Sequence, residues 1–315
     1  MFEIILNRVG YLTVKIIPVL VISIIIANLL VEFNITTKLI RFFKPVLNFS
    51  NLSPEAGLSA ATYLVSFSAG SATLSGFVER KKISEKEAMV AYFVGGLLTF
   101  VNHTIIYYIP ILLPLLGFAG ILYILIRFVI NLIISLAAMT YGHFKLPKAV
   151  YNYKNNKITE KHKISNLEKI RKGISRSKKI LAKIVVRIYL VYTLTSLAIY
   201  AGIFDLVSKK MQFITNIINL PGEISAIIAV GLVDPTSSYI VASSFLNEGI
   251  LNEIETILAL LFSSLFTMSA AVFRHSLPSK VAYFGVKLGT KIALYSFLLN
   301  FILVLLTIGI ILLFK

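Results

Sequence analysis

Cysteine and tryptophan are absent from the 315 residues. The first absence excludes disulfides and thiolate metal ligands and leaves the redox compartment unreadable. The second leaves Tyr and Phe as the aromatic anchors for any membrane interface. Charge is scarce as well. Asp, Glu, Lys and Arg make up 14% of the chain, where soluble domains carry about 25%. No Walker A phosphate loop occurs, so an ATPase is not expected. H-E-x-x-H, G-x-S-x-G and His-rich clusters are missing too, and nothing local supports a triad of Ser, His103 and Asp234, so no catalytic residue, cofactor or resident metal is expected. Glu3, Arg8 and Lys15 precede or enter the first apolar run, and no A-x-A-like site follows it. A retained helix is expected there rather than a signal peptide.

What is present is apolar sequence. Hydrophobic residues reach 57% and mean hydropathy is +0.86, gathered in runs that approach or reach the ~20 residues needed to cross a ~30 Å hydrocarbon core. The reading is an all-α polytopic membrane protein. Apolar spans are expected at about 11–33, 88–109 and 111–141, then at 184–204, 254–277 and 281–314. A mixed basic and apolar segment at 36–49 is expected to lie in the interface, and 205–220 is mixed in the same way. Two further apolar stretches, 56–78 and 224–246, are interrupted by polar residues. The net charge of +17 is concentrated: thirteen Lys or Arg against Glu160 and Glu168 fall within 144–183. Such clustering marks a cytoplasmic loop under the positive-inside rule, one that can meet anionic lipid headgroups, and it argues against a nucleic-acid site.

The order of segments repeats around that loop. An ungapped offset of 168 places Glu55 on Glu223, Ser75 on Ser243, Phe77 on Phe245, Glu85 on Glu253, Thr99 on Thr267, Pro110 on Pro278 and Gly117 on Gly285. The organisation read from this is a first membrane repeat at 1–143, the basic loop at 144–183 and a second repeat at 184–315. Arg80, Lys81, Lys82 and Lys86 lie after the first broken segment, while the matching stretch has Glu248, Glu253 and Glu255 and no base. Arg274, Lys280, Lys287 and Lys291 in turn fall on Ile106, Leu112, Ala119 and Tyr123. Equivalent ends of the halves are therefore expected on opposite membrane faces, an inverted repeat of the kind secondary transporters use.

The candidate site lies in the interruptions. A helix over 56–65 would be ~15 Å long, half the hydrocarbon thickness, so 56–78 is expected as a re-entrant hairpin rather than one span. Its tip carries Ser66, Ser68, Ser71 and Thr73. In the second half Asp234-Pro235-Thr236-Ser237-Ser238 reads as a helix start, with Asp as N-cap and Pro at the first position. Free N–H groups there suit an anionic or oxygen-bearing ligand, and an ionisable residue at membrane depth is a functional candidate. Asp234 is expected to take a coupling H⁺ or Na⁺. Thr236, Ser237 and Ser238, with the hydroxyls of the first tip, are expected to hold solute. Thr99, Asn102 and His103 share a helix face, and Asn102 and His103 are expected to point inward. Arg127 and Asn131 share a face of the next span, where an intramembrane Arg requires a partner. Glu55 and Glu223 are expected to serve helix entry.

The sequence of span, interfacial helix, broken hairpin and further spans resembles the nucleoside recognition (Gate) family. The resemblance rests on the polar tips 66–73 and 234–238 and on Gly95-Gly96 with Asn102, over about 14–141 and 182–310. That family is similar to the hairpin core of concentrative nucleoside transporters, and it includes the pore of ferrous-iron transport protein B and the spore maturation proteins. The resemblance implies a hairpin fold and a path for a small solute or ion; a multi-pass cell-membrane location and a homo-oligomer are separate expectations. The Gln-Thr-Glu type of tip found in nucleoside carriers is missing. Three functions follow as expectations: a secondary transporter or permease of a small polar, nucleoside-like solute; a divalent-metal permease using Asp234, His103 and Asn102; or a non-transporting membrane partner.

Overall fold

A computed structural model describes residues 49–147, 165–201 and 221–314, with isolated positions between 10 and 33; within 176–200 and at 274–275 the backbone is described but only some side chains. Most of the expected span at 11–33, the interfacial segment at 36–49 apart from Phe49, residues 148–164 of the basic loop, and the mixed segment at 205–220 lie outside the described residues.

Every regular element among the described residues is helical. Helix α1, Pro54–Thr62, begins where Ser53 Oγ accepts the Ala56 N–H and Pro54 occupies the first turn. Both features suit a helix start, because the first N–H groups have no partner within the helix. The cap is thus Ser53, with Glu55 in the first turn, and Glu87 accepts the Ser53 N–H at 2.7 Å. After a break at 63–66, α2 runs Phe67–Glu79 and α3 runs Glu85–His103. A π-helical segment, Thr104–Tyr108, leads into α4, Ile109–Lys145. Helix α5 is Asn166–Tyr200, α6 is Ile224–Val233, α7 is Pro235–Asn247 and α8 is Glu253–Ala271. A second π segment, Val272–Ser276, leads into α9, Leu277–Leu313.

Under the 168-residue offset read from the sequence, α2 falls on α7, α3 on α8, one π segment on the other and α4 on α9, residue for residue. Helices α1 and α6 correspond with ends displaced by two or three residues. The N-caps coincide as well: Ser66 with Asp234, and Ser84 with Asn252, the latter in a full capping box with Glu255.

One expected boundary moves. The sequence places a span end near Pro110, yet the helix continues through it and reverses at Gly117, whose φ of 53° and ψ of −125° no residue with a Cβ adopts easily. A Cβ on Gly120 would stand 2.9 Å from the Leu112 carbonyl, although a straight helix would hold residues eight positions apart at ~12 Å. Gly285, at φ 74°, repeats the reversal in α9. Pro110 and Pro278 fit at these helix starts because each follows a π segment by two residues, Tyr108 before Pro110 and Ser276 before Pro278. Local π geometry absorbs the N–H that proline lacks. A second boundary moves too. Residues 166–183, expected within the basic loop, form the first half of α5, a helix of ~52 Å by its 35 residues. That is longer than a bilayer core, and its basic first half is largely exposed.

Two cores hold the chain. One joins α1, α2 and α3 to Phe284, Leu288 and Ile292 of α9; the other joins α6, α7 and α8 to 111–134 of α4. Each broken helix pair is therefore packed against the long helix of the other half. The outward faces are apolar. Ile121, Leu125, Phe128 and Leu136 on α4, and Leu298, Ile302, Leu305 and Leu313 on α9, are all exposed. Three segments among the described residues, 85–145, 253–271 and 277–313, are long and apolar enough to cross a membrane. Unbroken apolar surface of this extent suits lipid rather than water. The fold class is all-α and membrane-embedded.

Candidate functional site

The two breaks are built alike. Asp234 ends α6 and caps α7, its Oδ2 accepting from the Ser237 N–H at 2.9 Å and the Ser237 hydroxyl at 2.7 Å. Ser66 caps α2 through the Ala69 N–H at 3.4 Å. The chain bends sharply at Asp234: a Cβ on Gly231 would lie 3.3 Å from that of Ser238, seven residues on, where a straight helix would hold them ~10 Å apart. Carbonyls freed at the breaks are met by matched threonines. Thr99 donates to Tyr63 O at 3.5 Å and Thr267 to Gly231 O at 2.9 Å. Irregular backbone at membrane depth has to find such partners within the protein.

Packing at the breaks differs in a complementary way. In the first half the Tyr63 ring lies against Gly70 and Gly95, and its hydroxyl meets Ser71 Oγ at 3.1 Å. In the second half the matching positions are Gly231, Ser238 and Ser263, and the glycine lies against the serine hydroxyl. Gly95, singled out in the sequence, is thus the seat of an aromatic ring, whereas Gly96 faces open space.

Each break opens on a cavity, and the two cavities occupy equivalent places. The larger, about 260 Å³, is lined by Tyr63 and Phe67 at the first break, Tyr92, Gly96 and Thr99 of α3, Asn131 of α4, and Lys280, Ser296 and Asn300 of α9. The smaller, about 160 Å³, is lined by Pro235, Ser238 and Tyr239 of α7, Ser263, Ser264 and Thr267 of α8, Tyr108, and Tyr123 and Arg127 of α4. Phe67 matches Pro235, Gly96 matches Ser264 and Thr99 matches Thr267. The cavities adjoin along α4: Arg127 lines one and Asn131, a turn later, lines the other, with Asn131 Nδ2 donating to Arg127 O at 2.8 Å.

Both cavities contain a buried cation, and among the described residues no acidic one lines either. Lys280 is 7% exposed. Its Nζ donates to Ser276 Oγ at 2.8 Å and stands 5.6 Å from the centre of the Tyr92 ring. Arg127 sits among the phenols of Tyr108, Tyr123 and Tyr239, and its Nε and Nη1 are buried without an acceptor. Among the described residues neither cation forms an ion pair. Burying a charge without its partner costs on the order of 3–5 kcal/mol, so these positions stand out energetically. The partner expected for Arg127 is a phenol, Tyr108, and among the described residues no carboxylate pairs with it.

Of the residues expected in the site, Ser238 lines a cavity. Thr236 is buried and bonds Tyr107 OH at 2.7 Å, joining the second tip to the first half. Ser237 serves the Asp234 cap and Ser71 meets Tyr63. Thr73 Oγ1 returns to Ala69 O at 2.8 Å, and Ser68 is exposed. Asn102 is half-buried and His103 is exposed, stacked on Tyr107 at 4.7 Å; neither lines either of these two cavities, where the inward orientation expected would have placed them. Their neighbour Thr99 takes the inward place. No group of three or more His, Asp or Glu suited to a metal ion forms among the described residues. Nor do the two tips pack extensively on each other; α2 packs on α9 and α7 on α4 instead. Lys280 was legible in the sequence only as a topological charge; that it falls opposite Leu112, inside an apolar span, was the signal for more.

Residues 13–115 match the family model described as Gate, nucleoside recognition, the family that the tips and paired glycines had pointed to. Three uncharacterized proteins of Methanocaldococcus jannaschii are similar along most of their length. One is 29% identical over 285 residues, covering 90% of this chain and 88% of its own. A second is 27% identical over 292 residues, covering 92% and 94%, and a third is 27% identical over 287 residues, covering 91% and 90%. No solved structure matches the chain.

Proposed function

We propose that the chain is a secondary transporter or permease for a small polar solute, working through two halves of opposite orientation. The observation that carries this reading is the pair of equivalent cavities, each at a broken helix and adjoining along α4 between Arg127 and Asn131. Two stations a turn apart, inside a body whose outer faces are apolar, suit stepwise passage across a membrane. Helices α1, α2, α6 and α7 run only ~14–20 Å each by their 9–13 residues, which supports two re-entrant hairpins. Antiparallel contacts support the inversion: Thr13 bonds Tyr189 at 2.7 Å, while Leu29 packs on Gly173. A two-fold axis in the membrane plane makes equivalent spans antiparallel in this way. The match to a nucleoside recognition model favours a nucleoside-like solute, and Asp234 takes the coupling H⁺ or Na⁺. The basic segment 144–183 then lies in the cytoplasm against anionic headgroups of the cell membrane.

The test is uptake into proteoliposomes. Solute accumulation that depends on a proton or sodium gradient supports the reading. Equal solute flux through protein-free and protein-bearing vesicles, over nucleosides, bases, amino acids and carboxylates, would remove it and leave a non-transporting membrane partner.

A further inference from the structure

We propose that the solute is an anion, and that its carboxylate or phosphate group docks on Arg127 in the smaller cavity. The inference rests on the permease reading for the word solute, but the site itself rests on geometry. Arg127 Nε and Nη1 are both buried and both without an acceptor, so two N–H groups of one guanidinium stand open to a ligand oxygen. Bonds from a guanidinium N–H to a carboxylate or phosphate oxygen are charge-assisted and among the strong ones. The rest of the wall carries hydroxyls, from Tyr108, Tyr123, Tyr239, Ser263, Ser264 and Thr267, and no carboxylate.

The first turn of α7, Pro235 to Ser238, borders the same cavity, but the Asp234 carboxylate already takes its Ser237 N–H, so the positive charge at the site comes from Arg127 rather than from the helix start. The equivalent cavity repeats the chemistry with different residues. There Lys280 stands over Tyr92, with Asn131, Ser296 and Asn300 around it. The cations are not repeats of one another: Arg127 aligns with Tyr295 and Lys280 with Leu112. A positive charge has therefore entered each cavity separately, in each case from the long helix of the other half. The lone cation at each station would offset the desolvation of an anion crossing an apolar interior.

The experiment uses the full chain, purified in detergent and in nanodiscs of phosphatidylcholine alone or with phosphatidylglycerol. Inorganic phosphate and benzoate are compared with benzamide, a neutral molecule of benzoate's shape. Phosphate or benzoate well above its dissociation constant should raise the melting temperature by roughly 2–4 °C, with benzamide ineffective. The same anions should shield Arg127 from phenylglyoxal, read by peptide mass mapping on the unaltered chain, so the result does not depend on a variant that folds. Arg127→Gln should weaken anion binding by about tenfold or more, with Arg127→Lys intermediate. Equal effects of benzamide and benzoate, or no anion effect and no shielding, would overturn the proposal. So would shielding by phosphatidylglycerol alone, which would assign the site to a lipid headgroup. Uptake separates the two readings. Uridine transport without anion binding would leave the permease and remove the anion; anion binding without any transport would do the reverse.

Discussion

At the scale of single residues, two adjacent glycines and one aspartate carry opposite burdens. A Cβ on Gly95 would run into the Tyr63 ring, whereas one on Gly96 meets nothing. Gly95→Ala should therefore destabilise by about 1–3 kcal/mol through overpacking. Gly96→Ala should be neutral or stabilise by up to about 1 kcal/mol through helix propensity. Thermal melts of the two purified variants check the contrast. Asp234 has a cap role visible in its bonds to Ser237 and a coupling role that is proposed. Asn caps as well as Asp does, but Ala does not. Asp234→Ala should thus cost about 1 kcal/mol of stability while Asp234→Asn costs little, and gradient-driven uptake should fail in both. Uptake surviving in Asp234→Asn would leave the cap alone. The sequence made Asp234 legible because N-capping is local chemistry: Asp, Pro and two hydroxyls in a row suffice. Lys280 and Arg127 could not be read as cavity residues, because their surroundings are completed by Tyr92 and Tyr239, distant in the chain. His103 erred the other way. Its polarity argued for the interior, but the π segment that follows stacks it on Tyr107 instead.

At the scale of elements, the reversals at Gly117 and Gly285 decide where each long helix turns back. Their φ values of 53° and 74° lie where a Cβ is strained, and the ψ values of −125° and 170° lie outside the left-handed helical well. Gly117→Ala or Gly285→Ala should cost about 1–3 kcal/mol each. The loss should appear as lower melting temperature and lower yield of folded protein, since space for the added methyl is open in both cases and strain alone is at issue. The sequence alignment paired these glycines, yet the turn was expected at Pro110. Proline ends a helix by lacking a donor and by clashing with the preceding turn, and nothing in a local reading says that a π segment will absorb both. The same limit applies to α5. Its basic first half reads as a loop by charge, but 35 residues continue as one helix because the apolar half that follows nucleates it and propagation costs little. Element order and equivalence were legible, since they depend on a period carried along the chain; turn positions were not, since they depend on one backbone angle.

At the scale of the whole molecule, the two cores explain why the halves act together. Each broken pair rests on the other half's long helix, so neither half buries its hairpin alone. Ser243 Oγ donates to Leu115 O across this junction, and Tyr107 reaches Thr236. Thr236→Val, which keeps shape and removes the hydroxyl, should cost about 0.5–1.5 kcal/mol and should lower transport more than stability if the junction moves during passage; paired melting and uptake measurements separate the two. The central claim is that the halves face opposite ways, and the absence of cysteine makes it directly measurable. Glu79 and Asn247 end the equivalent helices α2 and α7, and both are exposed. Single Glu79→Cys and Asn247→Cys chains can be labelled with a membrane-impermeant maleimide in right-side-out and inside-out vesicles. The account predicts that Cys at 79 reacts from the cytoplasmic face alone and Cys at 247 from the external face alone; labelling of both from one face would contradict it.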